Sequence, residues 1–153
     1  MPTPAKLVSA ILFAALAWWV GHTIFIHVLP EGVRIGRFRE ILALGGLVIG
    51  WRYIGRIVSG PTNRGASITV SITAGIGGAA ILLVLGLLLE GFRKMITESL
   101  DLRYAEVGEA ASAWMEFLWR DAQMIATPLV MGTLFGGAIL VGLVGGVVGR
   151  VTR

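Results

Sequence analysis

Cysteine is absent from this 153-residue chain, which excludes disulfides, thiolate nucleophiles and thiolate metal sites. Charge is scarce as well. Only 14% of the residues are Asp, Glu, Lys or Arg, against about 25% in an ordinary soluble domain, so there is too little polar surface to wrap a water-soluble globule. Histidine occurs at His22 and His27 alone, a spacing that sets the two rings about 140° apart around a helix. A metal pair needs i,i+3 or i,i+4 spacing, so a hydrogen bond between helices or at a membrane interface is the expected use of these rings. There is no Gly-rich loop followed by Lys-Ser or Lys-Thr, no GxSxG and no HExxH, and both histidines lie at one end of one segment, which leaves no credible Ser-His-Asp set. The expectation is a protein that is not an enzyme and has no cofactor and no metal site.

What the chain does have is apolar length. Hydrophobic residues make up 56% of it. Residues 7–30, 65–89 and 122–149 contain no Asp, Glu, Lys or Arg, giving uncharged runs of 24, 25 and 28 residues. About 20 mostly apolar residues suffice to cross a hydrocarbon layer of about 30 Å as a helix. The first run offers a small-x-small sequence at Ala15-Leu16-Ala17, as a signal peptide would. It continues without interruption through Trp18 and Trp19 to Leu29, so a retained span is expected. The weakest candidate is the second, because only residues 41–51 are uncharged. It crosses if Arg52 and Arg56, at i and i+4, join it on one face and snorkel to the surface. Otherwise it is re-entrant or interfacial.

The expected fold is therefore all-α: a single integral membrane bundle of four transmembrane helices, at about residues 7–29, 41–58, 66–89 and 122–148. Pro30-Glu31-Gly32 and the stretch 60–65 read as turns. Pro128 falls in the first turns of the last span, where a missing N–H is tolerated. The extramembrane segment is residues 90–121. Phe92, Met95, Ile96, Ser99, Leu100 and Arg103 continue the helical spacing of the third span outward. Glu90, Lys94 and Glu98 make successive i,i+4 pairs of opposite charge. An amphipathic helix fits residues 106–121, with Val107, Ala110, Ala111, Trp114 and Leu118 as its apolar stripe and Glu106, Glu109, Ala113, Glu116 and Arg120 opposite. It either packs on the bundle or lies on lipid.

Small residues recur at four-residue spacing, as they do where membrane helices approach closely. Ser67, Ser71, Gly75 and Ala79 form one ridge. Gly132 with Gly136, Gly142 with Gly146, Gly145 with Gly149, and Gly46 with Gly50 form others. The helix-packing candidates are Gly75, Ala79, Gly132, Gly136, Gly142 and Gly146. These ridges either pack the bundle within the chain or join a second copy or a partner membrane protein, and the strip 142–149 is the candidate place for such an intermolecular contact. Trp51, Arg52, Arg56, Trp114 and Trp119 are the membrane-interface candidates, with lipid as their partner. The net charge of +4 reflects basic residues beside the spans. It does not form the basic face with interleaved aromatics that nucleic acid requires.

Residues spread along most of the chain also resemble the TrgA family, small bacterial membrane proteins associated with tellurite resistance. They include Met1-Pro2-Thr3-Pro4-Ala5-Lys6-Leu7-Val8 with Leu12-Phe13-Ala14-Ala15-Leu16, and Leu29-Pro30-Glu31-Gly32. Gly50-Trp51-Arg52 with Gly55, Ser99-Leu100-Asp101-Leu102-Arg103-Tyr104, and Ala126-Thr127-Pro128 with Gly132-Thr133-Leu134 continue the match in order and spacing. The resemblance implies a four-span bacterial inner-membrane protein with a role in tellurite or oxyanion tolerance, and it supplies no catalytic residues. Lacking thiols, the chain has none with which to reduce tellurite. The alternative expectation is an accessory or assembly subunit of a larger respiratory, photosynthetic or transport complex. A transporter acting alone is the weakest reading, because the spans lack polar pathway residues.

With four spans, one side carries Lys6, Arg52, Arg56, Arg64, Arg150 and Arg153 and no acidic residue, while the other carries seven basic and all nine acidic residues. Basic residues concentrated in short segments mark the cytoplasmic side, so both termini are expected there. Reporter fusions at the two termini test the span count. Four spans put both reporters on one side, and reporters on opposite sides would remove the second span from the bundle.

Overall fold

The computed structural model describes residues 3–28, 37–59, 66–101 and 107–152. The expected turns at 30–32 and 60–65, together with Arg34, Arg64, Arg103, Tyr104, Glu106 and Arg153, lie outside the described residues. The described chain is all-helical and contains four helices long and apolar enough to cross a membrane. They are α1 (Pro4–His27), α2 (Phe38–Ser59), α3 (Ile68–Leu100) and α5 (Pro128–Val151). The amphipathic helix α4 (Val107–Ile125) sits between the last two. In hydrocarbon a backbone has only itself to hydrogen-bond to, which is why helices carry these segments.

Local chemistry sets where the helices begin. Thr3 precedes α1 with extended backbone, and Pro4 takes a first-turn position where its missing N–H costs nothing. Ser67 caps α3 by accepting from the Val70 N–H at 3.3 Å, and Thr127 caps α5 by accepting from the Val130 N–H at 3.3 Å. The Thr127-Pro128 pair corrects one sequence expectation. Pro128 does not lie inside a span that starts at 122; it starts α5, and residues 122–125 finish α4 instead. α3 reaches 33 residues, or about 50 Å, so it overshoots a hydrocarbon layer of about 30 Å by several turns.

The second span is one continuous helix, and its charged residues do not break it. Residues 50–54 form a π-helical turn, in which the Gly55 N–H bonds to the Gly50 carbonyl. The wide turn absorbs one extra residue. Gly46 and Gly50 are four apart, but Gly55 follows at five, which would swing off the face of a regular helix. With the π turn all three glycines face α1. A Cβ at Gly46 would meet the Phe13 carbonyl at 2.9 Å, one at Gly50 would meet the Ser9 carbonyl at 2.6 Å, and one at Gly55 would meet the Lys6 Cα at 2.8 Å. Arg52 and Arg56 remain exposed on the outer side, with Arg52 about 10 Å short of the helix end, within snorkelling reach.

Two pairs of helices meet backbone to backbone, and side chains join the pairs. α1 and α2 touch backbone to backbone along the three glycines. α3 and α5 do the same, because a Cβ at Gly75 would collide with the Ala138 carbonyl and one at Gly142 with the Ser71 carbonyl. Side chains then join the pairs. Tyr53 and Ile54 of α2 fill the space over Gly77 and Gly78 of α3, and Leu16 of α1 fills that over Gly137 of α5. Phe13, Ile54, Leu82 and Leu134 are the large side chains sealed in the centre. Ser9 and Ser71 are buried without a conventional hydrogen-bond partner among the described residues. Their hydroxyl oxygens stand where a Cβ at Gly145 or Gly146 would be, so each is aimed at a glycine Cα, the arrangement of a weak Cα–H···O contact.

The chain enters and leaves the bundle at one end. Thr3 and Ser59 hydroxyls are 3.2 Å apart, and Arg150 donates to the Ala66 carbonyl at 2.7 and 3.1 Å. The overshoot of α3 and the whole of α4 lie at the other end.

Alanine is a better helix former than glycine by about 1 kcal/mol, so glycine-to-alanine changes separate collision from propensity. Gly75→Ala and Gly142→Ala should destabilise the bundle by about 1–3 kcal/mol, the cost of overpacking. Gly132→Ala and Gly136→Ala, which meet nothing within 4 Å, should be neutral or slightly stabilising. Thermal unfolding in detergent, followed by circular dichroism, measures the order; the reverse order would refute the pairing of α3 with α5.

Candidate functional site

The polar chemistry of the described chain gathers at the end where α3 overshoots. α4 folds back on that overshoot because its inner stripe carries Trp114, Phe117, Leu118, Asp121 and Ile125, all buried or half-buried. Trp114 and Leu118 close over Gly91, where a Cβ would stand 3.1 Å from either. The expected stripe needs two corrections. Ala111 faces outward and Ala113 inward, because contact with α3 turns the helix toward the side holding Trp114, Phe117 and Asp121. The side chain of Val107 lies outside the described residues.

Asp121 is the acid on this apolar stripe, and only 6% of it is exposed. Lys94 of α3 meets it, donating to its two carboxylate oxygens at 2.6 and 2.8 Å. The i,i+4 spacing pairs Lys94 with Glu90 as well as with Glu98, and the Glu90 half of that expectation is corrected. Instead Glu90 takes a two-pronged hydrogen bond from Arg93 at 2.6 and 2.9 Å, which leaves Lys94 for the longer-range partner. That bond from Glu90 is the main reason the Arg93 guanidinium holds its proton more tightly than an ordinary arginine, and partial burial opposes it. Arg120 and Glu116 form a looser, well-exposed pair at 3.4 Å.

Beneath these groups lies a cleft of about 440 Å³. Its floor and walls are Val20 and Ile24 of α1, Leu42 of α2, Leu82 and Leu83 of α3, and Leu134 of α5. Its rim is Glu90, Arg93, Lys94 and Glu98 of α3 with Arg120 and Asp121 of α4. The site is thus apolar below and charged above, with three acids and three bases at the mouth.

Next to the cleft, on the outer side of α1 and α2, Arg39 donates to His22 Nδ1 at 3.2 Å. The Arg39 guanidinium also lies over the rings of Trp18 and Phe25, 5.6 and 5.7 Å from their centroids. His22 stacks on Trp18 at 5.3 Å. Arginine is always a donor, so His22 accepts through Nδ1 and carries its hydrogen on Nε2. This is a hydrogen bond between helices, while His27 stands exposed and apart. Among the described residues no group of three or more His, Asp or Glu could hold a metal ion.

The remaining sequence candidates divide clearly. Gly75, Gly142 and Gly146 are buried inside the α3–α5 contact, and Ala79 is buried one turn on from Gly75. Gly142, Gly145 and Gly146 of the strip 142–149 are occupied within the chain, by Ser71, Ser9 and Val58, which is the intrachain alternative for this ridge. Gly132 and Gly136 face outward, and among the described residues nothing comes within 4 Å of a Cβ at either. Trp119 is exposed at the outer face of α4, Trp51 is half-buried, and Arg52 and Arg56 are exposed. Trp114 is a packing residue on Gly91, and its indole Nε1 has no partner among the described residues. Sequence reasoning missed Asp121. The available signal was its i,i+3 and i,i+7 spacing from Leu118 and Trp114, which puts a carboxylate on an apolar stripe and demands a cation opposite.

Family models, curated proteins and solved structures give no match to this chain.

If Lys94–Asp121 pins α4, removing one partner strands the other. Asp121→Ala should cost about 1–3 kcal/mol, reduced from a fully buried pair because Lys94 is partly exposed. The paired change Lys94→Met with Asp121→Leu should cost less than Asp121→Ala alone. Amide hydrogen exchange over residues 107–125 reads both. Equal protection in the wild type and Asp121→Ala would show that the pair pins nothing.

Proposed function

We propose that this multi-pass membrane protein is a non-enzymatic component of the bacterial inner membrane, of the TrgA type, that supports tolerance to tellurite and related oxyanions. Both termini lie in the cytoplasm, with the overshoot of α3 and helix α4 on the far side. The sequence resemblance along most of the chain supports the family reading. One structural observation supports a role in binding or organisation over transport: below the cleft, the bundle interior is filled by backbone contacts at Gly46, Gly50, Gly75 and Gly142 and by the buried side chains of Phe13 and Ile54. That packing occupies the space an oxyanion would have to traverse.

The second reading, an accessory subunit of a larger membrane complex, draws on a different observation. Gly132 and Gly136 make a flat, outward, close-approach strip of the kind membrane helices use against each other.

Deleting the gene in its own host and measuring growth over a tellurite series tests the first reading. Sensitivity should rise and be restored by the wild-type chain, and unchanged growth rejects the role. Purification in mild detergent tests the second. A defined partner should co-purify with the wild type and be lost with Gly132→Leu and Gly136→Leu, whereas Gly142→Leu should damage the fold itself. Retention of the partner by both outward variants rejects that strip as the contact.

A further inference from the structure

We propose that the charge-rimmed cleft is a lipid site that takes one acyl chain of a zwitterionic phospholipid, the chain against the floor and the headgroup among the rim charges. The inference is independent of any tellurite role. It rests first on depth. From Leu82 at the floor to Glu90 at the rim is eight residues of α3, about 12 Å of rise. The cleft therefore runs from the hydrocarbon layer into the headgroup layer, the two zones a phospholipid bridges. It rests next on size and lining. A volume of about 440 Å³ falls among small-ligand pockets, which span about 300–1,000 Å³. Leu82, Leu83, Leu134 and Ile24 give water nothing to bond to. In a bilayer, the surrounding component that is apolar at one end and polar at the other is the lipid itself.

Charge chooses the headgroup. Glu90, Glu98 and Asp121 face Arg93, Lys94 and Arg120 around the mouth, so the rim sums to zero and makes no net positive field to collect anionic lipid. Glu90 is held by Arg93 and Asp121 by Lys94, so both signs stand side by side as ion pairs, and each of these carboxylate oxygens keeps a second lone pair for an ammonium. A headgroup carrying a phosphate and an ammonium meets both. An anionic headgroup gains the cations but is repelled by the carboxylates. Arg120 spends one hydrogen bond on Glu116 out of five N–H donors, which leaves donors for a phosphate.

The full chain is placed in nanodiscs containing equal phosphatidylethanolamine and phosphatidylglycerol, released into mild detergent, and weighed intact by native mass spectrometry. The expected result is a single retained lipid, phosphatidylethanolamine over phosphatidylglycerol by about tenfold. Leu83→Trp, which fills the cleft, should lower that retention about tenfold while the helix content read by circular dichroism stays that of the folded chain. Met124→Trp, on a half-exposed lining residue, does the same from the α4 side should Leu83→Trp fail to fold. Equal retention of the two lipids overturns the headgroup assignment. Retention untouched by a folded tryptophan variant, or recovery of a non-phospholipid ligand from the cleft, overturns the site.

Discussion

Lipid tails are as apolar as leucine, so burying leucine between two membrane helices gains little over leaving it in the bilayer. This constraint governs the whole molecule. Helix adhesion here comes from bringing backbones within reach of one another, and that is possible only where side chains are nearly absent. The contacts bear this out residue by residue: Gly46, Gly50 and Gly55 on α1, and Gly75 against Ala138 with Gly142 against Ser71. Larger side chains then enter as knobs over the glycines that remain, as Tyr53 does at Gly77 and Leu16 at Gly137. The π turn belongs to the same logic. One widened turn keeps a four-then-five glycine spacing on a single face, and without it Gly55 would turn away from Lys6.

Outside the hydrocarbon the rules change, and so does the composition. At the far end water returns, ordinary hydrophobic burial has force again, and α4 docks with Trp114, Phe117 and Leu118. A carboxylate and an ammonium are taken partly out of water there. Such a pair adds little stability over an apolar one and loses much when split. What it adds is a fixed position: Asp121 accepts from Lys94 with both oxygens, which holds α4 at one height on α3.

The architecture was legible from the sequence because uncharged length is a direct consequence of bilayer thickness. The four spans and the outward continuation of the third follow from counting residues. The ridge Ser71, Gly75, Ala79 was legible too, since α-helical spacing puts it on one face. The same spacing could not say which ridges find partners within the chain. Gly132 with Gly136 and Gly142 with Gly146 have identical spacing, yet the first pair faces outward and the second is buried, because α3 and α5 meet along Ala138, Gly142 and Gly146. The cleft was not legible at all. It is assembled from five helices whose walls read individually as ordinary span residues, and its key contact joins positions 27 residues apart. Pro128 misled the boundary because a first-turn proline is compatible with two starts, and the Thr127 cap decides between them.

The joint between α4 and α5 is only Ala126 and Thr127, which makes α4 a lever with its fulcrum at that joint. Asp121 sits about 6 Å along the arm, Trp114 about 16 Å, and Val107 about 27 Å, at 1.5 Å per residue. A restraint so near the fulcrum fixes where the arm starts but has little mechanical advantage over its tilt. A displacement of a given size at Asp121 is multiplied about fourfold at the tip. The angle of the arm is therefore held by the indole seated on Gly91, farther out along it.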